Sequence, residues 1–357
     1  MGTRAFAYPS APDTRHDRAR VTESGSQPRR GWARVRRKKA FVYLDQHGRP
    51  IQDANALERI EGLAIPPAWK DVWISPRPHA KLQATGFDKA GRKQYLYHRD
   101  FRARQEREKY DRLIRFAEKL PELRAVMAVH LNREELDHER VAAIALRLID
   151  SGWFRVGSEQ HARASGTYGI TTLRKRHVTV RGHRVNLSFR GKHRIQTRST
   201  LVDAELAAAI RELAATPGGS RLFRYVRDGR HRNLTSRQLN DYVKLYLGSE
   251  FTAKDFRTWG GTLRAAVELA EDSVRNGFPE SAAAERRSVS AAMRRVAAQL
   301  GNTPAVCRAS YVSPTVIDHY REGRTIENFR PRHLRLVNAR QVDLEPEEQA
   351  LLALLRA

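Results

Sequence analysis

Five residues, in the order Arg155, Lys192, Arg257, Asn302 and Tyr311, have the types needed to attack a phosphodiester. The charged oxygens of such an ester repel nucleophiles, so the transition state needs fixed cationic donors. Arg155 and Arg257 supply planar forks that can hold non-bridging oxygens. Asn302 can donate one further hydrogen bond. The Tyr311 hydroxyl can attack phosphorus and become a phosphotyrosine. The departing alkoxide needs a proton, and a lysine near other cations can lend one as its pKa falls. Lys192 stands between the two arginines in sequence. Taken alone, Tyr311 reads as a buried or capping ring and Lys192 as a solvated amine. Their order and company single them out.

These residues need elements to position them. Trp153 and Phe154 anchor the chain just before Arg155. Three strands follow, at about 177–181, 185–189 and 194–198, with Gly182 and Arg190-Gly191-Lys192 as turns. Lys192 thus falls on a hairpin tip. Lys254-Asp255-Phe256-Arg257 opens a helix after Thr252. A long helical pattern, Ala282–Leu300, stops at Gly301, a usual helix-ending residue. Asn302 lies at that end, and Tyr311 follows nine positions later. Cys307, close to Tyr311, reads as a small buried residue, because no histidine or orienting carboxylate adjoins it.

Residues 1–37 read as a disordered basic tail. Residues 38–105 read as a small β-rich DNA-binding domain of mixed topology. Its strands fall at 40–44, 71–74, 81–84 and 93–98, with a helix at 54–63. In the last strand Tyr95 and Tyr97 share a face and Gln94 takes the other. Glutamine can bond adenine bidentately, and tyrosines can touch phosphates or bases. Residues 106–357 read as the catalytic domain. A charged helix at 101–120 ends at Pro121, a second runs to 129, and a third covers 134–150. Leu136, Val141, Ile144 and Leu148 form a core stripe on the third. Later helices fall at 203–215, 239–247 (behind a Thr235/Gln238 capping box), 314–321 and 345–356. The fold class is α+β: a small N-terminal β-rich domain and a larger, mainly helical domain carrying a three-stranded β-hairpin sheet.

The chain has 66 Lys plus Arg against 40 Asp plus Glu, a formal charge of +26. Such a surplus indicates a polyanionic partner, most often nucleic acid. No apolar run approaches the roughly 18 residues that span a bilayer. One cysteine excludes an internal disulfide and a multi-cysteine zinc site. No HExxH spacing occurs among the histidines. Arg190-Gly191-Lys192 lacks the upstream glycine and the following Ser or Thr of a nucleotide-binding loop. The expectation is no cofactor, no metal and no ATP, in a cytoplasmic, nucleoid-associated protein.

The five residues and their surroundings resemble the type IB DNA topoisomerases, in the small poxvirus-like branch that bacteria also carry. The resemblance covers roughly residues 38–330. The 37 positions from Arg155 to Lys192 match the family's interval. Gln94-Tyr95 and Tyr97 are similar to the string with which the poxvirus enzymes read a short site. Lys254 resembles a family residue that contacts DNA near the cut. Asn302 stands where many members have histidine; it keeps a donor but loses charge and proton chemistry. The resemblance implies an enzyme that relaxes supercoiled DNA through a transient 3′-phosphotyrosine, with a 5′ hydroxyl leaving and Lys192 as proton donor. The bond energy stays in the phosphotyrosine, so ATP is unnecessary. It also implies double-stranded DNA as partner and a monomer clamped round it.

Two other readings share features. A tyrosine recombinase uses similar chemistry, but usually shows His-x-x-Arg at the second arginine, where this chain has Lys254, and a helical amino-terminal domain. A non-catalytic basic architectural protein explains the charge but not the ordered site. Under the topoisomerase reading, the purified chain relaxes negatively and positively supercoiled plasmid in EDTA without ATP. Activity falls steeply with salt as phosphate contacts are lost. A strict need for magnesium or ATP in that assay would overturn the assignment.

Overall fold

The computed structural model describes residues 31–37, 40–330 and 342–357. The expected tail at 1–30 therefore lies outside the described residues. The chain divides into two compact units that meet between Glu106 and Arg107.

The first unit is one five-stranded sheet with a helix. Its elements are β1 (Trp32–Arg37), β2 (Ala40–Leu44), α1 (Ala54–Gly62), β3 (Lys70–Ile74), β4 (Leu82–Phe87) and β5 (Lys93–Tyr97). The order is β2-β1-β3-β4-β5. Every pairing is antiparallel, not mixed. Asp53 caps α1 by accepting from Asn55 N. Ile60, Ile65, Val72, Ile74 and Ala84 form the core.

Strand β1 corrects the sequence reading, which assigns residues up to 37 to the tail. It runs Trp-Ala-Arg-Val-Arg-Arg, which looks like solvated chain. Its buried residue is Arg34, whose guanidinium donates to the carbonyls of Ile65, Pro66 and Trp69 at 2.9–3.0 Å. A buried charge satisfied by backbone carbonyls far along the chain leaves no hydrophobic signal.

The second unit is mainly helical and carries a three-stranded antiparallel sheet. It takes in most of α2 (Arg99–Leu131), then α3 (His138–Gly152), α4 (Glu159–Ser165), β6 (Val178–Arg181), β7 (Arg184–Arg190), β8 (Gln196–Val202) and α5 (Ala204–Ala215). A hairpin of β9 (Arg224–Arg227) and β10 (Arg230–Asn233), absent from the sequence reading, comes next. The chain continues through α6 (Ser236–Leu247), α7 (Asp255–Asn276), α8 (Ala282–Leu300), α9 (Pro304–Ser310), α10 (Pro314–Arg321) and α11 (Pro346–Arg356). The sheet order is β6-β7-β8. The Thr235/Gln238 capping box forms at the start of α6.

Pro121 does not end a helix; α2 runs through it. Proline inside a helix costs about 3 kcal/mol or more. Packing on both sides offsets this: Phe116, Ala117, Leu120, Leu123 and Met127 are all buried. Arg124, fully buried one turn on, fastens the helix further. It makes bonds of 2.8–3.1 Å to both carboxylate oxygens of Asp150 and of Glu348. Glu348 also accepts from Trp259 Nε1 at 3.1 Å. One guanidinium thus joins α2, α3 and α11, and Glu348 extends the network to α7. Burial opposes the charged form of Arg124, but Asp150 and Glu348 hold its pKa above the ordinary value. Removing Glu348 would leave Arg124 paired with Asp150 but take away two of its buried bonds and the acceptor of the Trp259 N–H, and stranded buried donors cost about 1–3 kcal/mol each. Glu348→Ala should therefore lower unfolding stability by about 3–5 kcal/mol in urea denaturation.

Candidate active site

Helix α3 is capped at its N-terminus by Asp137 and ends at Trp153, which takes the left-handed conformation at φ 53°. That reversal, with Trp153 and Phe154 buried, delivers Arg155. The Arg155 carbonyl accepts from Ile170 N at 2.9 Å, which secures the segment.

Arg257 lies in the first turn of α7 and is 4% exposed. The two arginines share an acceptor. The Leu300 carbonyl, at the end of α8, accepts from Arg155 at 3.3 Å and from Arg257 at 2.9 Å. Gly301 O also accepts from Arg155, at 3.3 Å, and Trp153 O from Arg257. Helix C-terminal carbonyls carry partial negative charge, which suits cations. Among the described residues no carboxylate pairs with either arginine. Burial lowers both guanidinium pKa values, and the neighbouring Arg155 lowers Arg257 further, to about 10.

Asn302 follows the Gly301 cap, and its Oδ1 accepts from Arg155. Its Nδ2 and the Arg257 Nε are buried without a well-formed hydrogen bond. Cys307 is fully buried; burial raises its thiol pKa, against the pull of Arg257, Arg155 and Asn302.

Tyr311 caps α9 and is half-buried. The Arg257 guanidinium lies 5.1 Å from the centre of its ring. Burial pushes the Tyr311 hydroxyl pKa up, but Arg257, then Arg155 and Lys254, outweigh it and leave the pKa below the ordinary tyrosine value. Lys254 is exposed, at the residue preceding α7.

Lys192 is exposed on the short turn, residues 192–194, between β7 and β8. It lines a cavity of about 460 Å³ with Arg155, Arg257 and Gly301. Tyr311 and Asn302 are not among that cavity's walls. The structure therefore gathers Arg155, Arg257, Asn302 and Tyr311 directly, while Lys192 joins the arginines through the cavity.

Gln94, Tyr95 and Tyr97 lie on β5, in the first unit. The two tyrosines are each 39% exposed and stack with ring centres 6.3 Å apart. Gln94 Nε2 donates to Asp88 Oδ2 at 2.9 Å.

Several positioning residues escape the sequence reading. The Thr262 hydroxyl donates to Tyr311 O at 3.2 Å and accepts from Ser313 N at 3.1 Å. The Tyr110 hydroxyl donates to Val312 O at 2.8 Å, and Lys109 Nζ to Ser310 O at 2.7 Å. Gly260 and Gly261 make the packing possible. A Cβ on Gly260 would meet the Trp153 ring at 2.1 Å, and one on Gly261 would meet Tyr311 O at 2.6 Å. These contacts end on backbone or on distant rings, which no local motif records.

Among the described residues no group of three or more His, Cys, Asp or Glu side chains could hold a metal ion. No described helix is long and apolar enough to cross a membrane.

The chain also matches known proteins. Residues 98–331 match the family model of the eukaryotic DNA topoisomerase I catalytic core. Residues 40–88 match that of the bacterial DNA topoisomerase IB N-terminal domain. The chain belongs to the type IB DNA topoisomerases. It is therefore an enzyme of the type I topoisomerase class, and its substrate is DNA. DNA topoisomerase 1B of Acanthamoeba polyphaga mimivirus is 34% identical over 285 residues, 78% of this chain and 84% of that one. DNA topoisomerase 1B of vaccinia virus (strain Copenhagen) is 18% identical over 276 residues, 75% of this chain and 83% of that one. DNA topoisomerase I of monkeypox virus matches equally, 18% over 276 residues.

The electrostatics of Tyr311 can be checked directly. Its hydroxyl should titrate below the roughly 10 of free tyrosine, read by NMR of ring-labelled protein. Arg257→Gln removes the largest lowering charge and should move the midpoint upward; an unchanged midpoint would uncouple the two residues.

Proposed function

We propose that this topoisomerase relaxes supercoiled DNA through a transient bond between Tyr311 and a 3′ phosphate. The reading rests chiefly on one arrangement: Arg257 lies 5.1 Å from the Tyr311 ring centre, and carbonyls rather than carboxylates hold both arginines. A guanidinium that no carboxylate neutralises keeps its full attraction for phosphate.

In this reading Arg155 and Arg257 hold the non-bridging oxygens and stabilise charge as phosphorus is attacked. The Asn302 Nδ2 and Arg257 Nε, buried donors without a well-formed bond, fit the same oxygens. Lowering the Tyr311 pKa eases loss of its proton during attack. Lys192 closes over the cut and protonates the departing 5′ oxygen, which swivels free and later attacks back. Lys254 steadies DNA beside the cut, and Gln94, Tyr95 and Tyr97 lie against the duplex. The protein acts as a monomer, without ATP or metal, on the nucleoid in the cytoplasm.

Single-turnover cleavage tests the assignments. Tyr311→Phe keeps DNA binding but loses relaxation and the denaturant-resistant adduct. Lys192→Ala slows cleavage of ordinary DNA by about 10²–10⁴-fold, the usual weight of a general acid. Its rate recovers when sulfur replaces the bridging 5′ oxygen, because a thiolate leaves without a proton. Arg155→Ala and Arg257→Ala gain much less from sulfur. Equal defects of Lys192→Ala on both substrates would remove the acid role, and an adduct surviving Tyr311→Phe would move the nucleophile elsewhere.

A further inference from the structure

The β9–β10 hairpin carries charge that folding does not explain. Its strands are joined by Asp228-Gly229, both at positive φ (53° and 67°), the tight turn that Asp-Gly favours. The register sets Arg227 opposite Arg230 and Tyr225 opposite Arg232. Strand alternation then puts Arg227, Arg230 and Arg232 on the face that carries Tyr225. Like charges directly opposite destabilise an antiparallel pair, and a two-stranded ribbon is marginal to begin with. All three arginines are exposed. Among the described residues Arg230 and Arg232 have no acidic partner, and Asp228 stands 3.9 Å from Arg227. Arg224, by contrast, donates to the Pro217 and Gly218 carbonyls, a structural role at the hairpin's base.

The ribbon is rigidly mounted. Tyr225 is 3% exposed, accepts from Gln238 Nε2 at 2.8 Å and meets the His138 ring edge-on at 5.1 Å. Val226 N donates to Leu136 O at 2.8 Å. His138 opens α3, and Arg155 follows the other end of that helix. Its 15 residues span about 22 Å at 1.5 Å each. That length corresponds to about six to seven base pairs at 3.4 Å per step. A second route links hairpin and site. Arg221, three residues before β9, pairs with Arg174 in an isolated antiparallel backbone bridge, and the Arg174 guanidinium lies 5.8 Å from the Tyr168 ring centre. Tyr168 N donates to Arg190 O, two residues before Lys192.

We propose that Arg227, Arg230 and Arg232 grip the phosphate backbone of duplex DNA about six to seven base pairs from the cut. The hairpin is a sequence-independent brace that holds the helix flanking the site. Guanidinium forks on a stiff ribbon suit phosphate oxygens, and a phosphate between Arg227 and Arg230 relieves their repulsion. The proposal rests on the topoisomerase reading.

The test uses the full chain, with all three arginines changed to alanine or all three to lysine. Binding is followed by fluorescence anisotropy across a salt series. One duplex extends about ten base pairs beyond the cut on each side; two others stop within about four base pairs on one side or the other. On the long duplex the alanine variant should lower the log–log salt slope by about 2–3 and bind about 10–100-fold more weakly at 0.15 M salt. The lysine variant should keep most of the slope. One of the two short duplexes should erase the difference between wild type and alanine variant. Single-turnover cleavage at saturating protein should be unchanged. A slope unaltered on the long duplex, or an equal loss on all three, would overturn the brace. Thermal melting checks folding, and Arg230→Ala alone, expected to cost about one unit of slope, serves if the triple change unfolds. If the unaltered chain neither binds DNA nor forms an adduct, the topoisomerase reading fails. If it cleaves normally and the hairpin variants behave alike, only the brace fails.

Discussion

Two guanidinium groups must sit side by side without a carboxylate between them. In the proposed chemistry an acid paired with either would neutralise it before phosphate arrived; left bare, the two would repel. The Leu300 carbonyl resolves the conflict by accepting from both. It offers partial charge where a full charge would compete with substrate. The rest of the catalytic unit follows from this. Helix α8 must end at Leu300, α3 must reverse at Trp153 to bring Arg155 there, and α7 must begin just before Arg257.

Helix α7 is the member on which both halves of the site register. Gly260 receives the indole of Trp153, and Gly261 receives the backbone of Tyr311. Adjacent residues on one helix thus set the arginine segment and the tyrosine segment against a common reference. Thr262 adds bonds on both sides of Val312. The attack on phosphorus proposed for Tyr311 tolerates little misplacement, and this bracing keeps a residue at the end of a short helix from drifting.

How much of this is legible in the sequence depends on where the information lies. The stop of α8 at Gly301, the Thr235/Gln238 box and the three-stranded sheet are local signals, and the structure has them. The order of Arg155, Lys192, Arg257, Asn302 and Tyr311 is readable because those residue types, met together, suit little chemistry besides attack on a phosphodiester. Arg34 and Arg124 are not readable, because a buried arginine looks solvated until its distant acceptors are known. That is why β1 reads as tail and Pro121 as a helix end. The β9–β10 hairpin has its Asp-Gly turn in plain sight, but charged flanks replace the apolar alternation that marks a strand. Thr262, Tyr110 and the paired glycines stay hidden because they act on backbone.

The Arg124 network has a consequence for synthesis. Glu348 is made 224 positions after the arginine it neutralises. A growing chain that has passed Tyr311 already holds every member of the site, yet its central arginine still lacks one of its two carboxylates. Until Glu348 emerges, Arg124 is paired with Asp150 but has bonds unmade on its other side, and the Trp259 N–H lacks this acceptor. A chain cut short between those points, by a stalled ribosome or a premature stop, would lack those bonds and the buried Leu351 and Leu352 of α11, and its core would be the less stable for it.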